Sequence, residues 1–546
     1  MVAFFCTSKP DMAAKMVAPY VKMGRLYARK GNFLTPEAAK FTGPEQYPWL
    51  VRISPPRRKA IATFGLCLVF VYLCREYDRE KGMVSKQKAN TEAELGSAPL
   101  MPLIAKYAIP SIISMLVGAL YNLTDQVFIG RIVGVVGNAA SNVVFPTVTF
   151  STAICMLLGI GTAANFNISQ GAGKIDEAKK YVYTGLTVTA IIGALTGLLV
   201  FLFRSQIINL CGASPTGNVY PYAMEYLSIS AIGLPFYIFA SAAATTIRAD
   251  GSPRYSMLYN VVGAALNVGL DWLFMYPFGW GIKGAAAATV ISQIVTFVLA
   301  MMYFPRFKAF SMRLKDIRLS ASHMMDSMKA GVPTFINQIL LMTTNIVLNN
   351  MLETYGALSN YGSDIPLAVS GVAQKTNMIM ISFAVGIAQG CQPIWGYNLG
   401  AKNFSRVKGT YIRAFAAAFI IGLIFFAALQ LFPREIVSIF GTGSDLYFEF
   451  AEKYLKIYMM FVFFQNIQPV TVTYFSATDN PRQGLLVSLS RQGLFLIPLL
   501  VILPKYMGIH GILAASPISD TLAFIISVTM VLISFRKMCP NPSEKL

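Results

Sequence analysis

The chain has 546 residues, of which 55% are hydrophobic and only 13% are charged, and its mean hydropathy is +0.55. Soluble proteins carry about 25% charged residues, so this composition excludes a cytosolic enzyme, a disordered protein and a coiled coil, and it predicts an all-α polytopic membrane protein. The formal charge of +20 is expected from basic cytoplasmic loops of such a protein, and we therefore predict no nucleic-acid partner.

The first 99 residues differ from the rest of the chain. Residues 61–74 are apolar, but a helix needs about 20 residues to cross a bilayer. The basic residues 57–59 before them resemble the start of a signal peptide, although no small-residue cleavage site follows. Met83 begins a short polar stretch that suits a cytoplasmic leader. We therefore expect translation to begin at Met83, with residues 1–82 untranslated.

From residue 100 onward the sequence contains about twelve apolar stretches, each roughly 20 residues long and sufficient for a transmembrane helix. Alternating segments of about ten residues, which are typical of a membrane β-barrel, do not occur. Clear examples of the helical stretches are residues 181–203, 226–247, 284–304, 330–352, 414–432 and 457–477.

Lysine and arginine are concentrated on alternate loops. The basic loops contain Lys174, Lys179 and Lys180; Arg248 and Arg254; the stretch 306–329; Lys402, Arg406 and Lys408; Arg482; and Arg536 with Lys537. The loops between them carry mostly one basic residue each. Because positively charged loops stay in the cytoplasm, we predict a multi-pass protein of the bacterial cytoplasmic membrane with both termini inside. We call the end of the helices that carries the basic loops the basic face.

The two halves of the chain repeat each other at an offset of about 227 residues. The matching pairs, in the same order in both halves, are Ile109-Pro110 with Val332-Pro333, Gly171-Ala172 with Gly400-Ala401, residues 249–254 with 477–482, and residues 281–284 with 508–511. Six spans separate equivalent positions, so the two repeats have the same orientation in the membrane.

The repeat predicts two six-helix lobes related by a pseudo-two-fold axis along the membrane normal. The predicted parts are an N-terminal lobe at 100–304, a cytoplasmic linker at 305–329, a C-terminal lobe at 330–535 and a cytoplasmic tail at 536–546. Transporters with such repeats bind their substrates between the repeats, near the middle of the membrane.

Ionisable residues inside spans are costly and are usually functional. Asp125 lies in the first span and Asp271 in the fifth, where Asn267 shares its helix face one turn earlier. Thr289 adds a hydroxyl in the sixth span. Two carboxylates, an amide oxygen and a hydroxyl suit a proton or a hard cation such as Na⁺. The alternative is that both acids lie at helix ends in water.

Arg491 and Asp520 lie in adjacent spans of the second half, and we predict a structural ion pair between them. Enzyme motifs are incomplete: the stretch 171–174 resembles a phosphate loop but lacks its first glycine and its Ser/Thr. The seven cysteines form no C-x-x-C pair. We therefore expect a protein that is not an enzyme and that has no cofactor and no resident metal other than the coupling Na⁺.

Several short motifs, taken in order, resemble the multidrug and toxic compound extrusion (MATE) family, and within it the bacterial MepA-like and DinF-like exporters. The resemblance covers about residues 100–535. The motifs are Ala108-Ile109-Pro110, Tyr121-Asn122-x-x-Asp125 followed by Gly130-Arg131, Leu266-Asn267-x-x-x-Asp271, Ser490-Arg491-Gln492 and Pro517-Ile518-Ser519-Asp520.

The resemblance implies a role for each matched residue. Asp125 matches an essential acid, and Tyr121 matches a tyrosine that lines the cation site. Pro110 matches the proline at which the first helix bends. The cation-binding partners match Asn267, Asp271 and Thr289.

The family's activity is antiport, in which H⁺ or Na⁺ enters as a cationic or amphipathic drug leaves, and we expect the protein to act as a monomer. Some members carry acids in helices seven and ten, but residues 331–352 and 457–477 contain none. We therefore expect no second cation site.

Two alternatives to a drug exporter remain open. A lipid-linked sugar flippase of the same superfamily usually needs several arginines or lysines in its cavity to hold a pyrophosphate, and the first lobe has none deep in a span. An integral-membrane enzyme needs clustered His, Asp or Ser at a membrane surface, and the chain has only two histidines, His323 and His510.

Overall fold

A computed structural model of the protein describes residues 94–312, 319–440 and 443–538. The expected start at Met83 and most of the predicted tail lie outside these residues. The first half of the described chain contains six long helices: α1 (Leu100–Ile132), α2 (Val135–Gly171), α3 (Ile175–Leu202), α4 (Val219–Ala249), α5 (Pro253–Met275) and α6 (Gly281–Tyr303). A short helix, Arg204–Leu210, follows α3.

The second half follows the same order with one interruption. Its helices are α7 (Ala321–Ala357), α8 (Asp364–Gly400), α9 (Phe404–Leu431), α10 (Asp445–Tyr458), α11 (Ile467–Ala477), α12 (Pro481–Met507) and α13 (Ile509–Lys537). Eleven helices of the described ranges are long and apolar enough to cross a membrane. Together with the interrupted crossing formed by α10 and α11, they confirm the predicted all-α fold of about twelve spans.

The tenth span is broken, whereas the sequence predicted one continuous helix over 457–477. The helix α10 ends at Tyr458, a short helix covers Val462–Gln465, and α11 begins at Ile467. Pro469 explains the second break, because its ring clashes with the carbonyl group four residues earlier, at Gln465. A hydropathy pattern does not register such a break, since the residues on both sides are apolar.

The helix α7 begins at Ala321, inside the stretch 305–329 that was predicted to be a linker. Its first turns carry His323, Asp326 and Lys329, and this polarity hides the helix from a search for apolar residues. The connection before α7 packs against the first lobe, where Phe307 and Phe310 are buried. The linker is therefore shorter than predicted.

The helices pack as two lobes, α1–α6 and α7–α13, which meet through α1 and α2 of the first and α7 and α8 of the second. The contacts are pseudo-symmetric, with α1 against α8 and α2 against α7. Small residues make them close. A Cβ at Gly390 would lie 2.5 Å from the Cα of Ala108, and a Cβ at Gly161 would overlap the carbonyl oxygen of Ser327.

The lobes are closed at the basic face. Gly171 at the end of α2 lies against the backbone of Tyr397, and Gly400 at the end of α8 lies against the backbone of Ile168. In the same region, Gln392 donates a hydrogen bond to the carbonyl oxygen of Ile160, at 3.0 Å. The glycine contacts lie at the basic ends of the helices, and the hydrogen bond lies about two to three turns further in. The space between the lobes is therefore sealed on that side.

Candidate functional site

Three packed helices of the first lobe carry the predicted cation-binding residues. Asp125 lies on α1, Asn267 and Asp271 on α5, and Thr289 on α6. The helix α5 packs against both α1 and α6, so it brings the amide and one carboxylate between the other two groups. A spacing of four residues on α5 keeps Asn267 and Asp271 on the same face.

Hydrogen bonds and charges link these side chains into one cluster. The Nδ2 of Asn267 donates to the Oγ1 of Thr289 at 3.3 Å. The carboxylates of Asp125 and Asp271 are close enough to act electrostatically on each other, and both act on the hydroxyl of Tyr121. The structure therefore brings together all five residues that were predicted to form the cation site.

Burial leaves the oxygens of this cluster without donors. Asp271 is 0% exposed and Asn267 is 2% exposed, while Asp125 is half-buried. Within the described ranges, both carboxylate oxygens of Asp271, the Oδ1 of Asp125 and the Oδ1 of Asn267 are buried and accept no hydrogen bond. Buried polar atoms normally have partners. The donor set therefore fits a bound proton or small cation, and the alternative that Asp271 lies in water is wrong.

Tyr226 also belongs to the cluster, although the sequence did not single it out. Its hydroxyl lies beside that of Thr289 and interacts with it, and the charges of Asp125 and Asp271 act on it. The residue is buried at the beginning of α4. Tyrosines are frequent in this sequence, so nothing in the sequence distinguishes Tyr226 as a site residue. Only the packing of α4 against α6 shows that it lies beside Thr289.

Pro110 lies apart from the cation cluster. It is buried within α1, about four helical turns before Asp125. On either side of it, Ala108 and Ile112 contact the glycines of α8. The proline therefore belongs to the contact between the lobes, where a helix that lacks one backbone hydrogen bond joins the closed end of the protein to its acidic cluster.

The charged pair of the second lobe is formed as predicted. The Nε of Arg491 lies 2.6 Å from the Oδ1 of Asp520, and both side chains are buried. Ser516 donates to the other carboxylate oxygen at 3.3 Å, and Ser519 donates to the carbonyl oxygen of Arg491 at 2.6 Å. Arg491 lies in a π-helical turn, Ser490–Leu496. An acid already paired with a buried guanidinium differs in kind from the unpaired acids of the first lobe.

The second lobe has no counterpart of the acidic cluster in its described residues. The repeat places Leu348 at the position equivalent to Asp125, since Pro110 matches Pro333, and Leu348 is buried among apolar side chains. The two lobes therefore share a fold but differ in chemistry.

Comparison with known proteins identifies the family. The sequence model of the MatE family matches residues 110–273 and 333–502, which together are more than half of the chain. Over 454 residues the chain is 25% identical to the multidrug export protein MepA of Staphylococcus aureus, an alignment that covers 82% of this chain and 97% of the relative.

Solved structures share the fold. A MATE family transporter in an outward-facing conformation aligns with a TM-score of 0.74 at 23% identity, covering 80% of this chain and 96% of that one. A transporter of the MOP superfamily from Pyrococcus furiosus, described as having a binding pocket of reversed polarity, aligns with a TM-score of 0.77 at 23% identity, covering 82% and 98%. These likenesses confirm the two-lobed architecture. With the match over both of its repeats, the chain belongs to the MatE family, the same MATE family that its motifs resemble.

Proposed function

We propose that the protein is a secondary active multidrug efflux antiporter, which exports cationic or amphipathic organic compounds in exchange for H⁺ or Na⁺. One observation carries the proposal: two acids on packed helices of the first lobe, Asp125 and Asp271, have buried oxygens that accept no hydrogen bond from the described residues. A site of this kind gains stability by binding a positive charge, whether inorganic or organic.

The basic face indicates the side from which the coupling ion enters. Basic loops face the cytoplasm, and the lobes are closed at that end, so the half-buried Asp125 is reached from the outside. A cation that enters from outside is driven by the membrane potential, which contributes about 2.3 kcal/mol per charge per 100 mV. If the coupling ion is Na⁺, the oxygens that would hold it belong to Asp125, Asn267, Asp271 and Thr289.

Exchange requires that the ion and the drug compete for one negative charge. When a proton or Na⁺ neutralises the carboxylates, the attraction for an organic cation is lost and the drug leaves to the outside. Repacking of α1 around Pro110 would carry this change to the contacts between the lobes. The emptied protein then opens at the basic face, releases the ion and binds the next drug molecule.

The relatives are consistent with this reading. MepA is named a multidrug export protein, and Asp125, Asn267 and Asp271 lie in the region that the MatE family model matches. The lipid-linked sugar flippase stays an alternative outcome of the experiment below, since it would carry no small organic cation.

Reconstituted protein can test the proposal directly. We expect proteoliposomes to move an ethidium-like cation when an H⁺ or a Na⁺ gradient is imposed in the opposite direction, and to stop when an ionophore removes that gradient. Comparing the two gradients identifies the coupling ion. Protein-free liposomes serve as the control. Cation flux that is equal with and without either gradient would show that the protein is not an antiporter.

Removal of the Tyr226 hydroxyl should weaken ion binding without abolishing transport. The substitution Tyr226→Phe deletes the polar interaction of this hydroxyl with Thr289, and a neutral interaction of this kind contributes about 1 kcal/mol. We expect the concentration of the coupling ion needed for half-maximal flux to rise about fivefold, with the maximal rate nearly unchanged. Tyr222→Phe, an exposed position one turn earlier on α4, is the matched control. An unchanged ion dependence in Tyr226→Phe would remove Tyr226 from the site.

A further inference from the structure

Arg248, near the end of α4 at the basic face, is a buried charge without an acidic partner among the described residues. Its side chain is 2% exposed. The Nη2 donates to the Oε1 of Gln389 on α8 at 2.8 Å, across the contact between the lobes. The Nη1 donates to the Ser256 hydroxyl at 3.3 Å, and the Nε has no partner within the described ranges. A full positive charge is therefore held by two neutral groups.

The nearest acid in the sequence is engaged elsewhere. Asp250 is also buried, and it accepts hydrogen bonds from the backbone N–H groups of Lys308 and Ala309, at 2.7 and 2.9 Å, and from the hydroxyl of Tyr303 at 2.7 Å. These three donors fix the start of the connection between the lobes to the first lobe. The carboxylate of Asp250 therefore holds the linker and does not compensate the positive charge of Arg248.

The missing counter-charge makes closure of the basic face costly. Burying an ion costs several kcal/mol of desolvation free energy unless a partner of opposite charge offsets it. The negative end of the α4 dipole offsets a part of this cost, because Arg248 lies in the last turn of that helix. The hydrogen bond to Gln389 offsets a further part. The remaining cost is removed when the lobes separate at this face and water reaches the guanidinium.

Other contacts at the same face have the opposite effect. Gln392, one turn after Gln389 on α8, joins the lobes through a neutral hydrogen bond to Ile160. His323 on α7 lies 2.6 Å from the carboxylate of Glu177 on α3. These contacts stabilise the closed face, so the stability of that face is a balance between them and the buried charge.

We propose that Arg248 is a positioning residue for alternating access, whose uncompensated charge destabilises the closed basic face and thereby favours its opening. Gln389 limits this cost by solvating the guanidinium while the face is closed. The inference rests on the proposed function only in that a transporter must open at this face.

The proposal and a simple latch predict opposite signs. If the Arg248–Gln389 hydrogen bond were a latch, removal of either partner would open the face. If Arg248 is the destabilising charge, Arg248→Met closes the face further, and Gln389→Leu, which leaves the charge with one partner fewer, opens it. Once the charge is absent, Gln389 has little left to solvate, so the double substitution should behave like Arg248→Met.

A cysteine at position 167 can report the opening. Asn167 is fully buried on α2 where that helix meets Gly396 of α8, and its amide makes no hydrogen bond to any residue that the structure describes. Asn167→Cys therefore removes a side chain without breaking a polar contact. In full-length purified protein without other cysteines, the rate of reaction with a water-soluble maleimide is proportional to the fraction of molecules open at the basic face.

In the protein whose single cysteine is at position 167, we expect Arg248→Met to slow labelling at least about tenfold. We expect Gln389→Leu to accelerate it at least about tenfold. Each change corresponds to about 1.4 kcal/mol in the equilibrium between the closed and open basic face. The matched control is Gln392→Leu, which removes a neutral bridge from the same helix and should accelerate labelling with or without Arg248→Met. A parallel protein that keeps only Cys155, buried within the first lobe, should label equally slowly in all variants, which excludes general unfolding.

Labelling that is faster or unchanged in Arg248→Met would overturn the proposal, as would unchanged labelling in Gln389→Leu. The measurement needs no drug and no ion gradient. A failure of the proposed antiport therefore appears in the proteoliposome flux, whereas a failure of this inference appears in the labelling rates.

Discussion

The substitution Asp125→Asn is expected to abolish transport while leaving a folded protein in the membrane. Asparagine has nearly the same shape as aspartate, and Asp125 is half-buried with one buried oxygen that accepts no hydrogen bond from the described part of the chain, so packing changes little. The amide cannot take up a proton, and it lacks the negative charge that attracts Na⁺ or an organic cation. Flux driven by either gradient should fall to the level of protein-free liposomes.

The control for this experiment is an acid outside the cluster. Asp176 lies at the basic face with its side chain 92% exposed, and Asp176→Asn should transport normally. A second measurement separates binding from transport: addition of a cationic drug to solubilised protein should displace protons or Na⁺, and this release should be lost in Asp125→Asn. Near-normal efflux by Asp125→Asn would contradict the coupling mechanism proposed above.

The substitution Arg491→Met should strongly destabilise the second lobe. It leaves the carboxylate of Asp520, which is 1% exposed, without its positively charged partner. Among the described residues, a weak hydrogen bond from Ser516 remains. Loss of one partner of a buried ion pair costs about 3–5 kcal/mol. The midpoint of thermal unfolding in detergent should therefore fall, and less protein should reach the membrane.

Replacing both partners distinguishes a structural pair from a functional one. Since two apolar residues in place of a buried pair are often neutral or stabilising, Arg491→Met combined with Asp520→Leu should recover most of the lost stability and transport normally. Lys329→Met, which removes an exposed partner of Asp326, should change stability by less than about 1 kcal/mol. A double variant that is stable but inactive would show that the pair takes part in transport.

The acidic cluster was predictable from the sequence because charge is rare in these spans. Asp125 and Asp271 stand out in apolar surroundings, and the helical period places Asn267 beside Asp271. Thr289 was grouped with them because its hydroxyl lies in a span of the same lobe, and the family resemblance implied the same partner. Tyr226 could not be predicted in this way, because its contribution depends on where the third turn of α4 lies relative to α6.

The sequence by itself determined the number and kind of spans, the repeat and the family, since hydropathy, motif order and loop charge are properties of the chain read in one dimension. Only the tertiary structure decided which face is closed, that the tenth span is interrupted, and that α7 starts within the predicted linker. It also decided that Arg248, which belongs to a basic loop in the sequence, is a buried cation between two lobes. The physical reason is that the burial and the compensation of a charge depend on residues far away in the chain. Here Gln389 of the other lobe covers the guanidinium of Arg248. The linker residues Lys308 and Ala309 bind the carboxylate of Asp250, which is therefore not available to compensate that charge.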